Sequence, residues 1–449
     1  MRIMIVTDQY PPMVGGVPNV THGLATDFAA RGHEVVVAAP SYGPRDAHRV
    51  EDNVQIYRFS SFEWPTYEEL RIPFLPILPF RRLLKRFDPD IIHVHSPVVL
   101  GNIAQIVAGN LRKPMIATNH YLPINMSRSL TTDPIIGKSF KVVSYSYFVS
   151  FCNRFDYVTA PTQTALNLLY EHGLRVPAQA ISNGIDLRKY TPGEPDEALR
   201  SRLGLPAGLP LILSVNRLSP EKRIEVLIDA AALLKERAHL VIAGTGPDEA
   251  ALRAQVEKLG LGERTSFLGF VSDADLVGLY RLASIFAIPS EGDLQSLATM
   301  EAMACGLPVV AADAYALPEL VHHEQNGFLF PRRKSDEMAF YLDRLLGDPS
   351  LREAMGAKSL EIIAPHDRRY ILDQWEALYQ RLSNEFVQAR ERKVQLRLAR
   401  KLTASTSIRL AHKQKPRRTN KLPKPRKMPK PAKPRRDRLA LDNGMLGEE

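Results

Sequence analysis

The chain has 449 residues, 45% apolar and 24% charged, a balance that excludes a disordered or fibrous protein and leaves room for two ordinary domains. Its formal charge of +10 belongs to one end: Arg390–Arg438 holds 20 Lys and Arg against Glu391 and Asp437, and the residues before it are mildly acidic. Two cysteines, Cys152 and Cys305, exclude a disulfide framework and read as reduced core thiols.

The opening MRIMIVTD runs straight into a buried strand at Arg2–Thr7 and lacks the apolar length and cleavage site of a signal peptide. No run of about eighteen apolar residues occurs, so no spanning helix is expected. Gly15-Gly16 stand at the turn from this strand into a helix over about Asn19–Arg31, with a second strand at His33–Ala39. Adjacent glycines there let backbone approach a ligand, although any strand-to-helix turn can hold them. Their spacing does not fit the G-x-G-x-x-G of dinucleotide folds, which argues against an NAD enzyme.

Leu70–Phe87 (LRIPFLPILPFRRLLKRF) mixes prolines, apolar residues and the cations Arg81, Arg82, Lys85 and Arg86. Two readings stand: a segment that meets an anionic membrane surface, or a proline-rich connector whose apolar residues fold onto the core. Asp88-Pro89-Asp90 reads as a turn rather than a metal site. The strand Ile91–His95 carries His93 and His95 without a third ligand, so no zinc is expected. The strand Met115–Thr118 ends in Asn119-His120. A histidine just past the carboxyl end of a parallel strand either points into the ligand crevice or is a structural residue. Phe155–Pro161 and Gln179–Ser182 complete the strands of the first half. Pro, Gly and charge from Asn183 through Asp196 mark a linker.

The second half starts with the strand Leu211–Val215, followed by Arg217 and Lys222 ahead of a helix over Ile224–Arg237. Cations there can grip a diphosphate, or simply be solvated. Leu240–Ala243 leads into Gly244-Thr245-Gly246. The strand Ile285–Ile288, a loop, a helix over Gln295–Ala304 and the strand Val309–Ala311 form a unit whose helix start suits a phosphate. Asp293 and Glu301 flank that start and suit sugar hydroxyls; the plainer reading makes them a helix cap and a solvated face. Strands and helices alternate through both halves, the pattern of two doubly wound α/β domains.

Met300-Glu301-Ala302-Met303-Ala304-Cys305-Gly306-Leu307-Pro308 resembles the donor-site signature of the GT-B retaining glycosyltransferases of family four, Glu-x7-Glu followed by Ala-Met-Ala-x-Gly-x-Pro. Asp293 stands at the first acidic position, one methylene shorter than the family's Glu, and Glu291 is out of register. The resemblance extends to Gly15-Gly16, to Arg217-Leu218-x-x-x-Lys222, to Asn183-Gly184-Ile185-Asp186 with Tyr190-Thr191-Pro192, and to Pro318-Glu319-Leu320-Val321, and covers about residues 1–385. The run Asp293–Ala304, the Thr118-Asn119-His120 loop and Ala316–Glu319 look most like the branch that makes glucosyl lipids on diacylglycerol.

That resemblance implies a GT-B fold: two facing Rossmann-like domains with an interdomain cleft, with an acceptor-side domain over 1–182, a linker over 183–209 and a donor domain over 210–365. A terminal helix over 366–386 would return to the first domain, and a basic tail over 387–449 would come after it. The resemblance implies retaining, metal-independent transfer of a hexose from a nucleotide sugar such as UDP-glucose, with no cofactor. Arg217 and Lys222 would hold the diphosphate and Glu301 the ribose. Asp293 with Gln295, Ser296 and Leu297 would hold sugar and phosphate. Gly244, Thr245 and Gly246 would line the nucleotide pocket, and the Ser266–Gly269 strand with the segment around Val271 would place the base. Gly15, Gly16 and His120 would complete the site from the first domain.

A lipid acceptor at the inner face of the membrane is the expected partner, reached from the cytoplasm. The tail alternates Pro with Lys and Arg over Lys415–Arg438, which suits an extended cationic arm on anionic lipid. It has no Phe, Tyr or Trp, so contact with nucleic acid would be to phosphate alone and nonspecific.

Overall fold

The structure is a computed structural model that describes residues 1–64, 71–123 and 134–413, leaving aside the side chains of 134–139, 141 and 398–413. Met1–Ala389 is one compact unit and Arg390–Glu449 another.

The first sheet contains β1 (Arg2–Val6), β2 (Glu34–Pro40), β3 (Ala47–Glu51), β4 (Val54–Phe59), and then β7 (Ile91–Val94), β8 (Met115–Thr118), β9 (Tyr157–Ala160) and β10 (Ala178–Ala180). A two-stranded antiparallel ribbon, β5 (Ser61–Glu63) with β6 (Arg71–Pro73), lies between them in the chain. The sheet order is β10-β9-β8-β7-β1-β2-β4-β3, with β3 alone antiparallel to its neighbour. The second sheet, β13-β12-β11-β14-β15-β16, is parallel throughout. Its strands are β11 (Leu211–Val215), β12 (His239–Ala243), β13 (Thr265–Gly269), β14 (Ile285–Ile288), β15 (Val309–Ala312) and β16 (Gly327–Phe330). Strands such as RIMIV and IFAI are buried almost throughout, because helices cover both faces of a parallel sheet.

Among the parallel strands of each sheet the order reverses once, between β1 and β7 and between β11 and β14. The crevice outside the carboxyl ends of the strands at such a reversal is where open α/β sheets bind ligands. The fold is therefore α/β, with two Rossmann-like sheets that each carry a reversal point.

Helices of the first half include α1 (Gly16–Ala30), α2 (Ile77–Phe87), α3 (Val99–Leu111), α4 (Pro134–Cys152) and α5 (Gln163–Glu171). The second half contributes α6 (Glu197–Arg202), α7 (Ile224–Leu233), α8 (Glu249–Lys258), α9 (Asp273–Leu282) and α10 (Leu297–Ala304). After them come α11 (Ser335–Gly347), α12 (Pro349–Ile363) and α13 (Arg368–Lys413). Within the first unit, α13 lays Ile371, Leu372, Trp375, Leu378, Tyr379 and Leu382 into one cluster with Ile3, Ile5, Phe28 and Val35 of the first sheet and α1. The spacing of those α13 residues is that of one helix face. Lys415–Arg438 lies outside the described residues.

Both readings of the proline-rich segment hold for part of it. Phe80, Leu83 and Leu84 of α2 fold onto the core, whereas Phe74, Leu75, Ile77 and Leu78 stay 45–68% exposed. Leu70 falls outside the described residues. Asp88 and Asp90 pin the far ends of the strands: Arg2 Nη2 donates to Asp88 at 3.1 Å and the Arg2 amide to Asp90 at 2.8 Å. Both cysteines are free and buried, with thiols pushed up to about 12 by desolvation.

Candidate active site

The reversal point of the second sheet gathers most of the expected donor-site residues. Arg217 and Lys222 lie on the loop after β11, and Asp293 on the loop after β14. Lys222 Nζ reaches Asp293 Oδ1 at 2.6 Å, with both side chains largely buried. Asp293 Oδ2 is buried and has no hydrogen-bond partner among the described residues. The side chain of Arg217 is exposed.

These two loops are stitched together by a residue that sequence reasoning set aside. The Glu291 side chain is 4% exposed and lies between Arg223 (Nε to Oε2, 3.4 Å) and Arg333 (Nε to Oε1, 3.0 Å). The Glu291 amide also donates to the Glu221 carbonyl at 2.8 Å. Partners 68 and 42 residues apart leave no local signature. Glu291 is thus an anchor for the cationic loop rather than a displaced member of the acidic pair.

Ser296, not Asp293, caps α10: its hydroxyl accepts from the Thr299 amide at 3.2 Å. Asp293 is thereby free of the capping role. The helix ends at Gly306, at φ +81°, with the Leu307 amide returning to Ala302. Glu301, one turn into α10, accepts from the Tyr280 hydroxyl at 2.7 Å and from that of Tyr190. Desolvation outweighs these bonds and raises its pKa from 4.5 to about 7. Tyr190 stood in the linker motif and Tyr280 is on α9; only the fold shows that they hold Glu301.

A carboxylate accepts hydroxyl hydrogen bonds when ionised, so in the ribose-holding role expected of Glu301 its protonation would weaken donor binding. Donor kcat/KM should fall on the acid side of about pH 7, approaching tenfold per pH unit once Glu301 is protonated. Rates over pH 5.5–8.5 test this, and Glu301→Gln should abolish that limb. A flat wild-type profile across pH 7 removes Glu301 from donor binding.

Gly244 and Gly246 have a packing role. A Cβ on Gly244 would stand 1.8 Å from the Asn216 carbonyl oxygen, and one on Gly246 2.2 Å from that of Leu218. With the Leu218 amide bonded to the Thr245 carbonyl at 2.9 Å, this turn lies directly against the Arg217 loop. Gly16 differs, since a Cβ there would meet nothing within 4 Å. It opens α1 after β1, at the reversal point of the first sheet.

Gln295 joins the two sheets. Its Nε2 donates to the Pro161 carbonyl (3.2 Å) and Ser182 Oγ (3.0 Å), and its Oε1 accepts from the Asn183 amide (2.8 Å). The side chain is fully engaged, which leaves only the backbone of Gln295 to meet a ligand. Beside it, Thr162 Oγ1 donates to the Leu294 carbonyl at 2.9 Å. Glu319 caps α5 from the other domain, accepting the Gln163 and Thr164 amides at 3.1 and 2.6 Å.

On the first sheet, His120 comes after β8 and His95 after β7. His95 Nδ1 and His120 Nε2 are 2.9 Å apart, and burial lowers the His120 pKa to about 4, so its ring is neutral at physiological pH. Asp8, at the end of β1, caps α3 through the Leu100 amide at 3.0 Å, and burial raises its pKa to about 6. Among the described residues no group of three or more His, Cys, Asp or Glu is arranged to hold a metal ion.

Comparison with known proteins agrees with this arrangement. Residues 14–189 match the family described as Glycosyltransferase Family 4, and residues 195–361 that described as Glycosyl transferases group 1. The alpha-monoglucosyldiacylglycerol synthase of Streptococcus pneumoniae is 29% identical over 81% of this chain and 83% of its own. A GDP-mannose-dependent alpha-mannosyltransferase of Mycolicibacterium smegmatis is 31% identical over 73% of this chain and 84% of its own. HepE of Anabaena, solved in complex with UDP-glucose, superimposes with a TM-score of 0.69 at 23% identity, covering 84% of this chain and 99% of that one. Two Rossmann-like sheets, each with its reversal point, and family matches to both halves make this chain a hexosyltransferase of glycosyltransferase family four, with the GT-B fold.

Proposed function

We propose that the protein transfers glucose, with retention, from UDP-glucose to diacylglycerol at a membrane surface. Arg217 and Lys222 hold the diphosphate and stabilise it as it leaves. Glu301 takes the ribose. Asp293 Oδ2, without a partner among the described residues, takes a sugar hydroxyl, and the amides of Ser296 and Leu297 at the start of α10 meet phosphate. Gly16 and His120 face the donor from the first domain. With Asp293 assigned to a sugar hydroxyl and Glu301 to the ribose, no carboxylate of the site is left to attack the sugar as a nucleophile. This favours attack from the leaving-group face with the departing phosphate accepting the acceptor's proton.

One observation carries the lipid acceptor. Phe62 of β5, Trp64 just after it, Phe74 and Leu75 between β6 and α2, and Ile77 and Leu78 at the start of α2 are 41–68% exposed. They lie on the same stretch of chain as the exposed cations Arg81, Arg82, Lys85 and Arg86 of α2. A soluble protein rarely leaves so many large apolar groups together in water. Apolar insertion plus about 1 kcal/mol per cation near anionic lipid suits a bilayer surface. The name of the pneumococcal relative points the same way.

The test is transfer from UDP-glucose on vesicles containing diacylglycerol, with and without anionic lipid. Leu75→Glu with Leu78→Glu should weaken vesicle binding by more than about tenfold, because two inserted side chains are replaced by charges that the surface repels. Turnover of UDP-glucose in solution should be unchanged. Vesicle binding equal to wild type would remove this surface from membrane contact. A chain ending at Ala389 asks the same of the tail. Donor hydrolysis without transfer to lipid would point to another acceptor, and turnover of GDP-mannose alone to a mannosyl enzyme.

A further inference from the structure

We infer that His95 is a positioning residue that fixes the tautomer of His120, so that His120 presents Nδ1–H to the cleft as a hydrogen-bond donor. The inference rests on the proposed function, in which His120 faces the substrates, and it specifies what that ring can do there.

Burial sets the proton count. His93, His95 and His120 are all held neutral by desolvation, and charge on His120 would further disfavour charge on the other two. The bridge from His95 Nδ1 to His120 Nε2, 2.9 Å long, therefore contains one proton. The two ring planes are within 12° of each other with centroids 5.2 Å apart, so the rings lie nearly parallel across the bridge.

Either ring could supply that proton, and the other nitrogen of His95 decides between them. His95 Nε2 is buried and has no hydrogen-bond partner among the described residues. The adjacent His93 cannot serve it, because both nitrogens of His93 are engaged: Nδ1 with Tyr379 Oη and Nε2 with Thr118 Oγ1, each at 2.5 Å. If His120 donated, the proton of His95 would sit on Nε2 as a buried N–H without an acceptor. If His95 donates, Nε2 is left as a bare lone pair. Orphaned buried donors are rarer than under-satisfied acceptors, so the proton of the bridge belongs to His95.

His120 then accepts at Nε2 and carries its own proton on Nδ1, for which the described residues supply no acceptor. Which ring nitrogen is protonated is set by the bond that the other makes. A ring in that state donates to a lone pair of the sugar or of the acceptor. It cannot act as a base at Nδ1, which leaves deprotonation of the acceptor to the leaving phosphate.

The full-length protein, labelled with 15N-histidine, allows a direct reading by two-bond 1H–15N correlation. His120, assigned by comparison with His120→Gln, should show a protonated Nδ1 and an unprotonated Nε2. That is the reverse of the tautomer histidine prefers in water. A protonated Nε2 in the wild type overturns the inference, whatever the activities.

Kinetics with UDP-glucose and diacylglycerol vesicles provide the second readout. His95→Leu should lower kcat by at least about tenfold at unchanged donor KM, the scale on which loss of a partner that orients a functional histidine is felt. His95→Asn should restore most of that loss, because its amide N–H falls where Nδ1–H stood. Equal losses in Leu and Asn variants of wild-type melting temperature overturn the inference. Wild-type turnover by His120→Ala is a different failure, since it withdraws His120 from the site and leaves the tautomer as measured.

Discussion

Arg217→Ala should lower kcat for hexose transfer by roughly 100- to 1,000-fold, the loss found when one preorganised donor to a developing anion is removed. The diphosphate gains charge as the sugar leaves, so a cation facing it stabilises the transition state more than the bound donor. The effect should accordingly fall on kcat more than on donor KM. The side chain is exposed, and surface substitutions shift stability by no more than about 0.5 kcal/mol, so the melting temperature should hold. Arg217→Lys should recover only part of the rate, since a point charge replaces a planar fork. Near wild-type turnover by the alanine variant would refute the assignment of Arg217 to the diphosphate.

Trp375→Ala should destabilise the protein by about 3–5 kcal/mol, the cost of truncating a large buried aromatic. Trp375 is 5% exposed, with its ring 4.8 Å from that of His93 and 5.8 Å from that of Tyr379. The cavity left behind would lie between α13 and the first sheet, beneath the strand that leads to His95. Urea unfolding measures the effect, as a lower midpoint of the first transition at unchanged slope. A loss under about 1 kcal/mol would mean that α13 adds little to the core on which it lies. Activity at low temperature should fall as well, because His93 backs the His95 ring at 3.8 Å.

Much of the architecture was readable because it is written locally. Buried parallel strands show as unbroken apolar runs such as IFAI and VVAA, and turn glycines show as breaks between them. The donor signature is legible for a related reason, since a helix start and two carboxylates eight residues apart occupy one stretch of chain. Even so, periodicity misplaced the start of α10 by two residues. It treated Gln295 and Ser296 as helical, when Ser296 is the cap and Gln295 precedes it. Gly244 and Gly246 were legible only as a glycine turn after a strand, expected to line the nucleotide pocket, and the tight packing at that turn was not foreseen. That packing, contact with the Asn216–Leu218 backbone, needed the second strand in place.

The α/β class, the paired doubly wound domains and the acidic and cationic residues of a donor site are all legible in the chain without coordinates, because hydrophobic period, turn chemistry and capping act over a few neighbouring residues. Which of those residues meet is a property of the folded molecule. Lys222 with Asp293, Glu291 with Arg223 and Arg333, Tyr280 with Glu301, Gln295 with Ser182 and His95 with His120 join positions 21 to 113 residues apart. Folding also divided Leu70–Phe87 into a buried face and an exposed one. Such partnerships depend on how two sheets and their loops close around each other, and local propensity contains no term for that closure.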